Sequence, residues 1–420
     1  MRKVCFTLLF AALCAVVAAT AAGAETRAIR VLLANHPYGD LLKSAIPEFE
    51  QSTGITVNLE QYQESQLTTK LTTEFATGSS TVDVFMTRPL QEARMFYKNG
   101  WYMPLTSYDF SDFPRSALSV VTFGSKTYVV PIVTEWEVLY YRIDLLKKAG
   151  LGVPKTMEEL EAAAKKLASA DVAGFASRGK GNPAVTQMSS FLYNFGGNYL
   201  SNGKAVFDSP AALDAVRFYG RMLGTYGPAG VTAMSWDNIM PLFQAGKIAL
   251  WTDASVFYGQ IVDPAKSQVA AENVGIANFP AGPKGNTPFI AVSWGVAISK
   301  KTKNADLAQS FLAWATSKDM ARRALAANIT MARDSPWQDK DVLSKVNPSL
   351  VSTRAFAARN GVPYDRPYMS AVGEARDRIG ELIIESINSR GTSPTLEKKA
   401  KEMVDKVNEL LEDTGELGGS

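Results

Sequence analysis

Acidic and aromatic side chains meet in one short segment, Glu135-Trp136-Glu137, which follows the apolar run Val129–Pro131. A carboxylate accepts hydrogen bonds from hydroxyl groups, and an indole ring offers flat apolar area to the C–H groups of a sugar. We therefore predict that Glu135 and Trp136 contact a ligand of this kind. Packing of Trp136 in the core is the alternative, since most aromatic side chains are buried.

Polar residues also follow two predicted strands near the N-terminus, Ile29–Leu33 and Val82–Met86. In sheets whose strands alternate with helices, ligands bind outside the carboxyl ends of the strands. The residues at these positions are predicted to line a ligand-binding cleft. They are Asn35, His36, Tyr38, Thr87 and Arg88.

Further candidates come later in the chain. Three stand at predicted strand or helix ends, one lies in a predicted strand between Ser293 and Gly295, and one lies in the proline-bounded segment Pro363–Pro367. They are Arg178, Trp236, Asp253, Trp294 and Arg366. Two arginines that reach a cleft, Arg88 and Arg178, would favour an acidic group on the ligand through paired hydrogen bonds. Ordinary surface salt bridges are the alternative for both residues.

Residue types that break covalent bonds are scarce in this chain. Beyond residue 24 it has one histidine, His36, and no cysteine. The sequence also has neither a glycine-rich phosphate loop nor a histidine cluster with metal-ligand spacing. We expect no enzyme, no metal and no cofactor. A carboxylate pair, Glu135 with Asp253, keeps a carbohydrate-cleaving enzyme open as an alternative.

The first 24 residues have the pattern of a cleaved secretory signal peptide. Arg2 and Lys3 precede the apolar run Val4–Ala22, and small residues follow as far as Ala24. We predict a mature chain that starts near residue 25 and lies in the periplasm. Both cysteines of the sequence would be removed with the signal peptide.

The charge of the remaining chain is nearly balanced. Without Arg2 and Lys3 it holds 42 basic and 41 acidic residues, a formal charge of +1. This balance gives no basic stripe for nucleic acid. No later apolar run approaches the roughly 20 residues that span a bilayer. We therefore expect binding to neither a nucleic acid nor a membrane interior.

The spacing of apolar residues predicts alternating strands and helices, which favours an α/β fold with parallel strand pairing. Helices are predicted over Leu41–Gln51 and Ser65–Thr77, and Ser209 is predicted to cap a helix that begins at Pro210. Thr156 and Glu159 have the spacing of a capping box.

The central and C-terminal segments give three further expectations. Glu135–Glu137 is predicted to form a polar corner between two strands, the second over Val138–Arg142. The segment Ile329–Tyr368 contains four prolines and is predicted to be irregular. Two amphipathic helices, Ala371–Arg390 and Thr395–Leu411, are predicted to close the chain.

Five segments resemble, in this order, segments of the family-1 extracellular solute-binding proteins of ABC importers, the maltose-binding-like group. They are Ala45–Val57 (AIPEFEQSTGITV), Val82–Leu105, Tyr128–Leu160, Phe243–Trp251 (FQAGKIALW) and Val292–Phe311. The resemblance implies a two-lobed periplasmic-binding-protein fold whose lobes close by hinge bending. Its lobes are discontinuous in sequence, and carried onto this chain they are 25–131 with 279–328 (lobe I) and 132–278 with 329–420 (lobe II).

The resemblance also implies a function. We expect a monomer that captures a small carbohydrate (a mono- or disaccharide, a polyol or a sugar acid) between the lobes and delivers it to the membrane permease of an ABC importer. Glu135 matches a position that meets the ligand in maltose-binding relatives. Those relatives have an aromatic residue near the position of Thr87, and its absence here argues against a long oligosaccharide. An adaptor for a chemoreceptor or sensor kinase is the alternative within this fold.

Overall fold

A mixed sheet of seven strands organises the protein in the computed structural model, which describes residues 27–419. The predicted signal peptide, 1–24, lies outside the described residues. The strands are β1 (Ala28–Ala34), β2 (Thr56–Tyr62), β3 (Val84–Thr87), β4 (Val129–Arg142), β5 (Leu250–Ala254), β6 (Val274–Asn278) and β7 (Ile290–Ile298).

The strand order is β6-β4-β7-β3-β1-β2, and β5 also pairs with β4. Strand β1 is parallel to both β2 and β3, as the alternation of strands and helices predicts. Strand β7 is antiparallel to β3 and to β4. Two short hairpins lie outside this sheet, Thr122–Phe123 with Lys126–Thr127 and Leu200–Ser201 with Lys204–Ala205.

Strand β4 is one continuous element of 14 residues that passes from one part of the sheet to another. Up to Trp136 it pairs with β7, and from Glu137 onward it pairs with β5 and β6. The predicted corner at Glu135–Glu137 is therefore wrong. Successive side chains of a strand point to opposite faces, so the alternation of acid, tryptophan and acid is compatible with an uninterrupted strand.

The pairing of β4 with β7 is irregular where Pro131 lies opposite Gly295. The register shifts on both sides of Trp294, and proline has no N–H to donate to the ladder. A Cβ atom on Gly295 would lie 2.3 Å from Val129 Cγ1, so only glycine fits here. This local irregularity sets the position of Trp294.

The helices surround the sheet and form most of the region after β4. The α-helices are Pro37–Thr53, Glu64–Ala76, Arg94–Lys98, Arg115–Ser119, Ile143–Lys148, Met157–Leu167, Gly181–Asn194, Pro210–Tyr226, Trp236–Gln244, Tyr258–Ile261, Ala305–Ala315, Lys318–Ala326, Lys340–Leu343, Pro348–Asn360, Val372–Asn388 and Leu396–Asp413. A π-helical turn covers Pro89–Ala93. Short 3₁₀ turns cover Val231–Ala233, Ser255–Phe257, Ala271–Asn273 and Ser335–Gln338. Of the helices in residues 27–419, none is both long enough and apolar enough to cross a membrane.

Two predicted helix caps can be compared with the structure. The Ser209 hydroxyl accepts a hydrogen bond from the Ala212 amide at 3.4 Å, which confirms that cap. The Thr156 hydroxyl likewise accepts from the Glu159 amide at 3.2 Å. The Glu159 carboxylate accepts instead from the Lys155 amide at 2.7 Å, so the predicted box is formed only on its threonine side.

Proline misled the sequence interpretation at two helix starts. The first helix begins at Pro37, four residues before the predicted start, and a 13-residue helix begins at Pro348 inside the segment predicted to be irregular. Proline suits the first helical turn because its fixed φ angle is helical and its missing N–H would have no partner there. His36 and Asn347 cap these helices with their side chains.

The buried apolar residues form two clusters. The larger cluster contains residues of the first three strands, of β7 and of the part of β4 where its partners change. It includes Trp136 of β4 and Trp251 of β5. The second cluster is built mainly by the helices Gly181–Asn194, Pro210–Tyr226 and Val372–Asn388. The predicted lobe bounds stay predictions, although the change of partners along β4 and the linker between β6 and β7 are compatible with them.

Candidate ligand-binding cleft

A cleft of about 700 Å³ lies between segments that precede β4 and segments that follow it. We call these the first wall and the second wall. The first wall includes Glu64, Thr68, Arg88 and Gln91. The second wall includes Arg178, Asn182, Thr186, Trp236, Arg366 and Arg376. Four of the twelve predicted site residues therefore line this cleft, namely Arg88, Arg178, Trp236 and Arg366.

Arg88 is held on the first wall by three side chains. It donates to Glu64 at 3.2 Å, to the Thr68 hydroxyl at 2.6 Å and to Glu92 at 3.1 and 3.2 Å. Thr87 is fully buried, and its hydroxyl donates to the second Glu92 oxygen at 2.9 Å. The predicted residue Thr87 thus lies behind the cleft and orients the carboxylate that fixes Arg88.

Arg178 on the second wall is held by Asp253. Its Nε lies 3.1 Å from both carboxylate oxygens, and its NH2 group lies 2.6 Å from one of them. Asp253 also accepts from Trp251 Nε1 at 3.2 Å, from the Ala254 amide at 2.7 Å and from Gln187. The prediction that Asp253 faces the cleft is wrong: it is fully buried, and all its acceptor capacity holds Arg178 and its neighbours.

Two further arginines of the second wall converge on Gln91 of the first wall. The Gln91 side-chain oxygen accepts from Arg366 at 2.8 Å and from Arg376 at 2.6 Å. Arg366 is paired with the adjacent Asp365 at 2.5 and 2.6 Å. The remaining bonds of Arg376 go to the Asn182 carbonyl at 2.8 Å and the Thr186 hydroxyl at 3.0 Å.

Trp236 and Glu64 also bridge the two walls. The indole Nε1 of Trp236 donates to Glu64 at 3.2 Å, and the indole stacks on Phe257 with centroids 4.9 Å apart. Burial acts to raise the pKa of the Glu64 carboxyl, but the positive charges of Arg88 and Arg178 outweigh it and hold the pKa below its usual value. Glu64 is therefore an ionised acceptor that faces arginines from both walls.

Three predicted residues lie behind Arg88. The Arg88 guanidinium carbon is 5.7 Å from the centre of the Trp294 ring, whose own neighbour is His36 at 5.6 Å. His36 Nε2 lies 3.4 Å from a Glu135 oxygen. His36 and Trp294 are 4% and 3% exposed, so they lie beneath the cleft and do not line it.

Three other predicted site residues do not reach the cleft. Tyr38 is fully buried, and its hydroxyl donates to the Ala315 carbonyl, because the helix begins at Pro37 and turns this ring into the core. Asn35 is half-buried, lines none of the cleft and bonds through its backbone N–H to Tyr62 at 2.8 Å.

Trp136 is 1% exposed and packs in the core, which was the alternative interpretation. Its Nε1 donates to Thr353 at 3.1 Å, and its ring meets Trp337 edge-on at 6.0 Å. The physical reason is the strand itself. Alternation along β4 puts Trp136 on the face opposite to Glu135 and Glu137.

Sequence reasoning missed four cleft residues, Glu64, Gln91, Thr186 and Arg376. Glu64 carries a usable signal, because it follows the end of β2 just as the predicted candidates stand at the ends of β1 and β3. Arg376 gave no local signal, since it lies within a long amphipathic helix. Only the packing of that helix turns its side chain toward the cleft.

A second cavity of about 690 Å³ adjoins the cleft at Arg366, which lines both. It is lined by tyrosines and by the C-terminal segment. The tyrosines are Tyr193, Tyr199, Tyr364 and Tyr368. Tyr364 and Tyr368 stack on each other at 5.1 Å, and Arg94 covers Tyr368 at 4.5 Å.

Residues 34–322 match the family described as bacterial extracellular solute-binding protein. The chain belongs to this family. It is 29% identical over 334 residues to the mannitol-binding protein of Pseudomonas aeruginosa, with 76% of each chain covered. It is 30% identical over 236 residues to a probable ABC transporter-binding protein of Deinococcus radiodurans, with 54% of this chain and 56% of that protein covered.

Solved structures of solute-binding proteins share the fold. One from Agrobacterium vitis with bound D-mannitol gives a TM-score of 0.80 at 25% identity and covers 92% of this chain and 99% of that chain. Another, from Agrobacterium radiobacter in complex with ribitol, gives 0.81 at 27% identity and covers 91% and 98%. These likenesses confirm the predicted two-lobed α/β fold of a solute-binding protein of ABC importers. Such proteins lie in the periplasm or outside the cell, and their activity is binding.

Proposed function

We propose that this protein captures a small carbohydrate, of mono- or disaccharide size and including polyols and sugar acids, and delivers it to the permease of an ABC importer. The observation that carries the proposal is the bridge from Trp236 to Glu64, at 3.2 Å, across a cleft whose walls hold four arginines. The cleft thus presents ionised acceptors, guanidinium donors and an indole edge at one place. Neighbouring hydroxyl groups of a sugar or polyol are both donors and acceptors and match this set.

The relatives support this ligand class. The similar protein of Pseudomonas aeruginosa is a mannitol-binding protein, and the two similar Agrobacterium structures hold D-mannitol and ribitol. A micromolar dissociation constant requires about −8 kcal/mol. Several hydrogen bonds to charged groups, each worth about 1.5–3 kcal/mol, can supply this free energy.

The contacts between the walls support capture by closure. Trp236 reaches Glu64, and both Arg366 and Arg376 reach Gln91, so each wall bonds directly to the other. A ligand that bonds to both walls binds the closed form better than an open one and shifts the population toward it. The continuous strand β4 is the connection about which the two sides would move.

The remaining parts of the proposal concern location and partners. The protein would act in the periplasm after removal of residues 1–24, as a monomer that docks on the permease subunits. Genetic removal of the neighbouring permease tests this role. If ligand uptake is unaffected while a chemotactic or transcriptional response to the ligand is lost with this protein, the sensor-adaptor alternative is favoured.

The ligand class is tested by thermal-shift screening and calorimetry of the mature chain across sugars, polyols, sugar acids, amino acids and peptides. We expect saturable binding of at least one carbohydrate with one site per chain, weakened at least tenfold by Glu64→Gln. Glu402→Gln on the exposed face of the last helix is the matched control and leaves binding unchanged. Binding confined to amino acids or peptides would contradict the proposal.

A further inference from the structure

The arginines of the cleft differ in one respect, which is whether the protein itself supplies a counter-charge. Arg88 is paired with Glu64 and Glu92, Arg178 with Asp253, and Arg366 with Asp365. The shortest oxygen–nitrogen distances of these pairs are 3.1, 2.6 and 2.5 Å. Arg376 forms no ion pair with any carboxylate in residues 27–419. All three of its hydrogen bonds go to neutral oxygens, those of Gln91, Asn182 and Thr186.

Arg376 is nevertheless buried. It is 4% exposed, it lines the cleft, and its Nε–H has no hydrogen-bond partner. A buried charge without a partner is strongly unfavourable, and buried charges in proteins are normally paired. A missing counter-charge at the edge of a ligand-binding cleft indicates that the ligand brings it.

The surroundings of Arg376 strengthen this conclusion. Arg366 and Arg376 both donate to the single side-chain oxygen of Gln91, so two guanidinium groups lie next to each other. Burial and the like charges of Arg366 and Arg88 outweigh the opposing charges of Asp365 and Glu64 and lower the pKa of Arg376 well below its usual value. The wall therefore has a local excess of positive charge at the point where the two arginines converge.

We propose that the carbohydrate bound in this cleft carries an acidic group that pairs with Arg376 beside Arg366, which makes the ligand a sugar acid. The acid would occupy the free Nε–H side of Arg376 or replace Gln91 as the acceptor of its NH1 group. A carboxylate suits a guanidinium because two of its N–H groups can donate to the two oxygens in parallel. The inference rests on the proposed function, since it names the charge of the ligand at the same site.

The first test compares acids with neutral sugars of the same carbon skeleton by calorimetry of the mature protein. One series is D-gluconate and D-glucuronate against D-glucose and D-glucitol, with matching mannose and galactose series, and glucose 6-phosphate provides a phosphate arm. We expect an acid to bind at least tenfold tighter than its neutral counterparts. The preference should shrink as salt is raised from 20 to 500 mM, because charge interactions are screened.

The outcomes separate this inference from the proposed function. If only neutral sugars or polyols bind, the sugar-acid inference is overturned and the carbohydrate function stands. If glucose 6-phosphate is the only ligand that binds, the inference of a sugar acid is overturned, and the acidic group of the ligand is a phosphate. If no carbohydrate binds while another class of solute does, both proposals fail.

The second test uses two variants that differ in whether a charge is left behind. Arg376→Met removes a cation without stranding an acid, whereas Arg178→Met leaves Asp253 buried and unpaired. Without ligand, we expect Arg376→Met to keep or raise the melting temperature of the wild type, because it removes an unpaired buried charge, and Arg178→Met to lower it. Arg376→Met should also weaken the binding of acids more than that of their neutral counterparts, so that the preference for acids is lost, and Arg376→Lys should retain part of the preference. A melting temperature lowered as far as in Arg178→Met, or an acid preference that survives in Arg376→Met, overturns the inference.

Discussion

The two walls of the cleft differ in whether their charged groups have partners within the protein. On the first wall, Arg88 is fixed by Glu64, Glu92 and Thr68, and every charged group there has a partner within the wall. On the second wall, Arg178 and Arg366 each have their own aspartate, but Arg376 has none. The side of the molecule after β4 also contains Glu137, a buried carboxylate whose two oxygens both lack hydrogen-bond partners.

A binding site can therefore combine charged groups of fixed geometry with one charged group that still lacks a partner. Paired charges keep their geometry without a ligand, because each group is already satisfied. An unpaired buried charge costs stability until a ligand satisfies it. We therefore assign positioning mainly to the first wall and the choice of ligand charge mainly to the second, and this contrast can be tested by substitution.

The largest effect is expected where a buried pair of the second wall is broken. Arg178→Met should lower the free energy of unfolding by about 3–5 kcal/mol, because Asp253 stays buried without its partner. Urea denaturation followed by circular dichroism measures this change. Arg217→Met is the matched control: that arginine also pairs with acids, Asp214 and Glu397, but is partly exposed, and its loss should cost about 1 kcal/mol or less. Equal effects at both sites would contradict the contrast between paired and exposed charges.

The next effect concerns the unpaired acid. Burial raises the pKa of the Glu137 carboxyl well above its usual value. Above about pH 4.3 the unfolded chain releases this proton while the folded chain keeps it, so stability falls as the pH rises. Glu137→Gln should therefore stabilise the protein by about 1–3 kcal/mol at pH 7.5 and have little effect at pH 4.

Thermal unfolding of wild type and variant at both pH values checks this expectation. Glu135→Gln, two residues away on the same face of β4, is a control for the loss of a carboxylate that has a partner, since Glu135 contacts His36. A stability gain for Glu137→Gln that is equal at pH 4 and pH 7.5 would argue against a raised pKa.

The smallest effect is expected for the contact that joins the walls. Trp236→Phe keeps an aromatic ring to stack on Phe257 but removes the Nε1–H bond to Glu64, so ligand affinity should fall about five- to tenfold, which corresponds to about 1–1.4 kcal/mol. Calorimetry with a ligand found by screening gives this value. Trp101→Phe, in the aromatic cluster with Phe75 and Phe96, controls for loss of an indole elsewhere. Unchanged affinity in Trp236→Phe would remove this bridge from the binding site.

Much of the fold could be predicted from local patterns. Alternating strands and helices, the Ser209 cap and the family segments are encoded by neighbouring residues, and the structure and the comparisons confirm them. The errors arose where one residue type supports two structures. Proline was interpreted as a helix breaker before Pro348, where it starts a helix, and the polar Glu135–Glu137 was interpreted as a corner within a continuous strand.

The candidate site could be predicted only in part. Arg88, Arg178 and Trp236 could be predicted because they stand at the starts or ends of predicted elements, and Arg366 because it lies in a polar segment bounded by prolines. All four carry side chains that suit hydroxyl or acid recognition. Tyr38 and Trp136 have equally suitable side chains but face the core. The sequence did not show which way each side chain points. A shift of one residue at a helix start or in a strand turns a side chain to another face.

Composition and spacing along the chain were enough to predict most of the elements, the family and the chemical types available for binding. The tertiary structure decided which charges find partners. Arg178 meets Asp253 from 75 residues away, whereas Arg376 meets Gln91 of the opposite wall and no acid. Ion pairing depends on distances of a few ångströms between segments remote in sequence, and only folding fixes those distances.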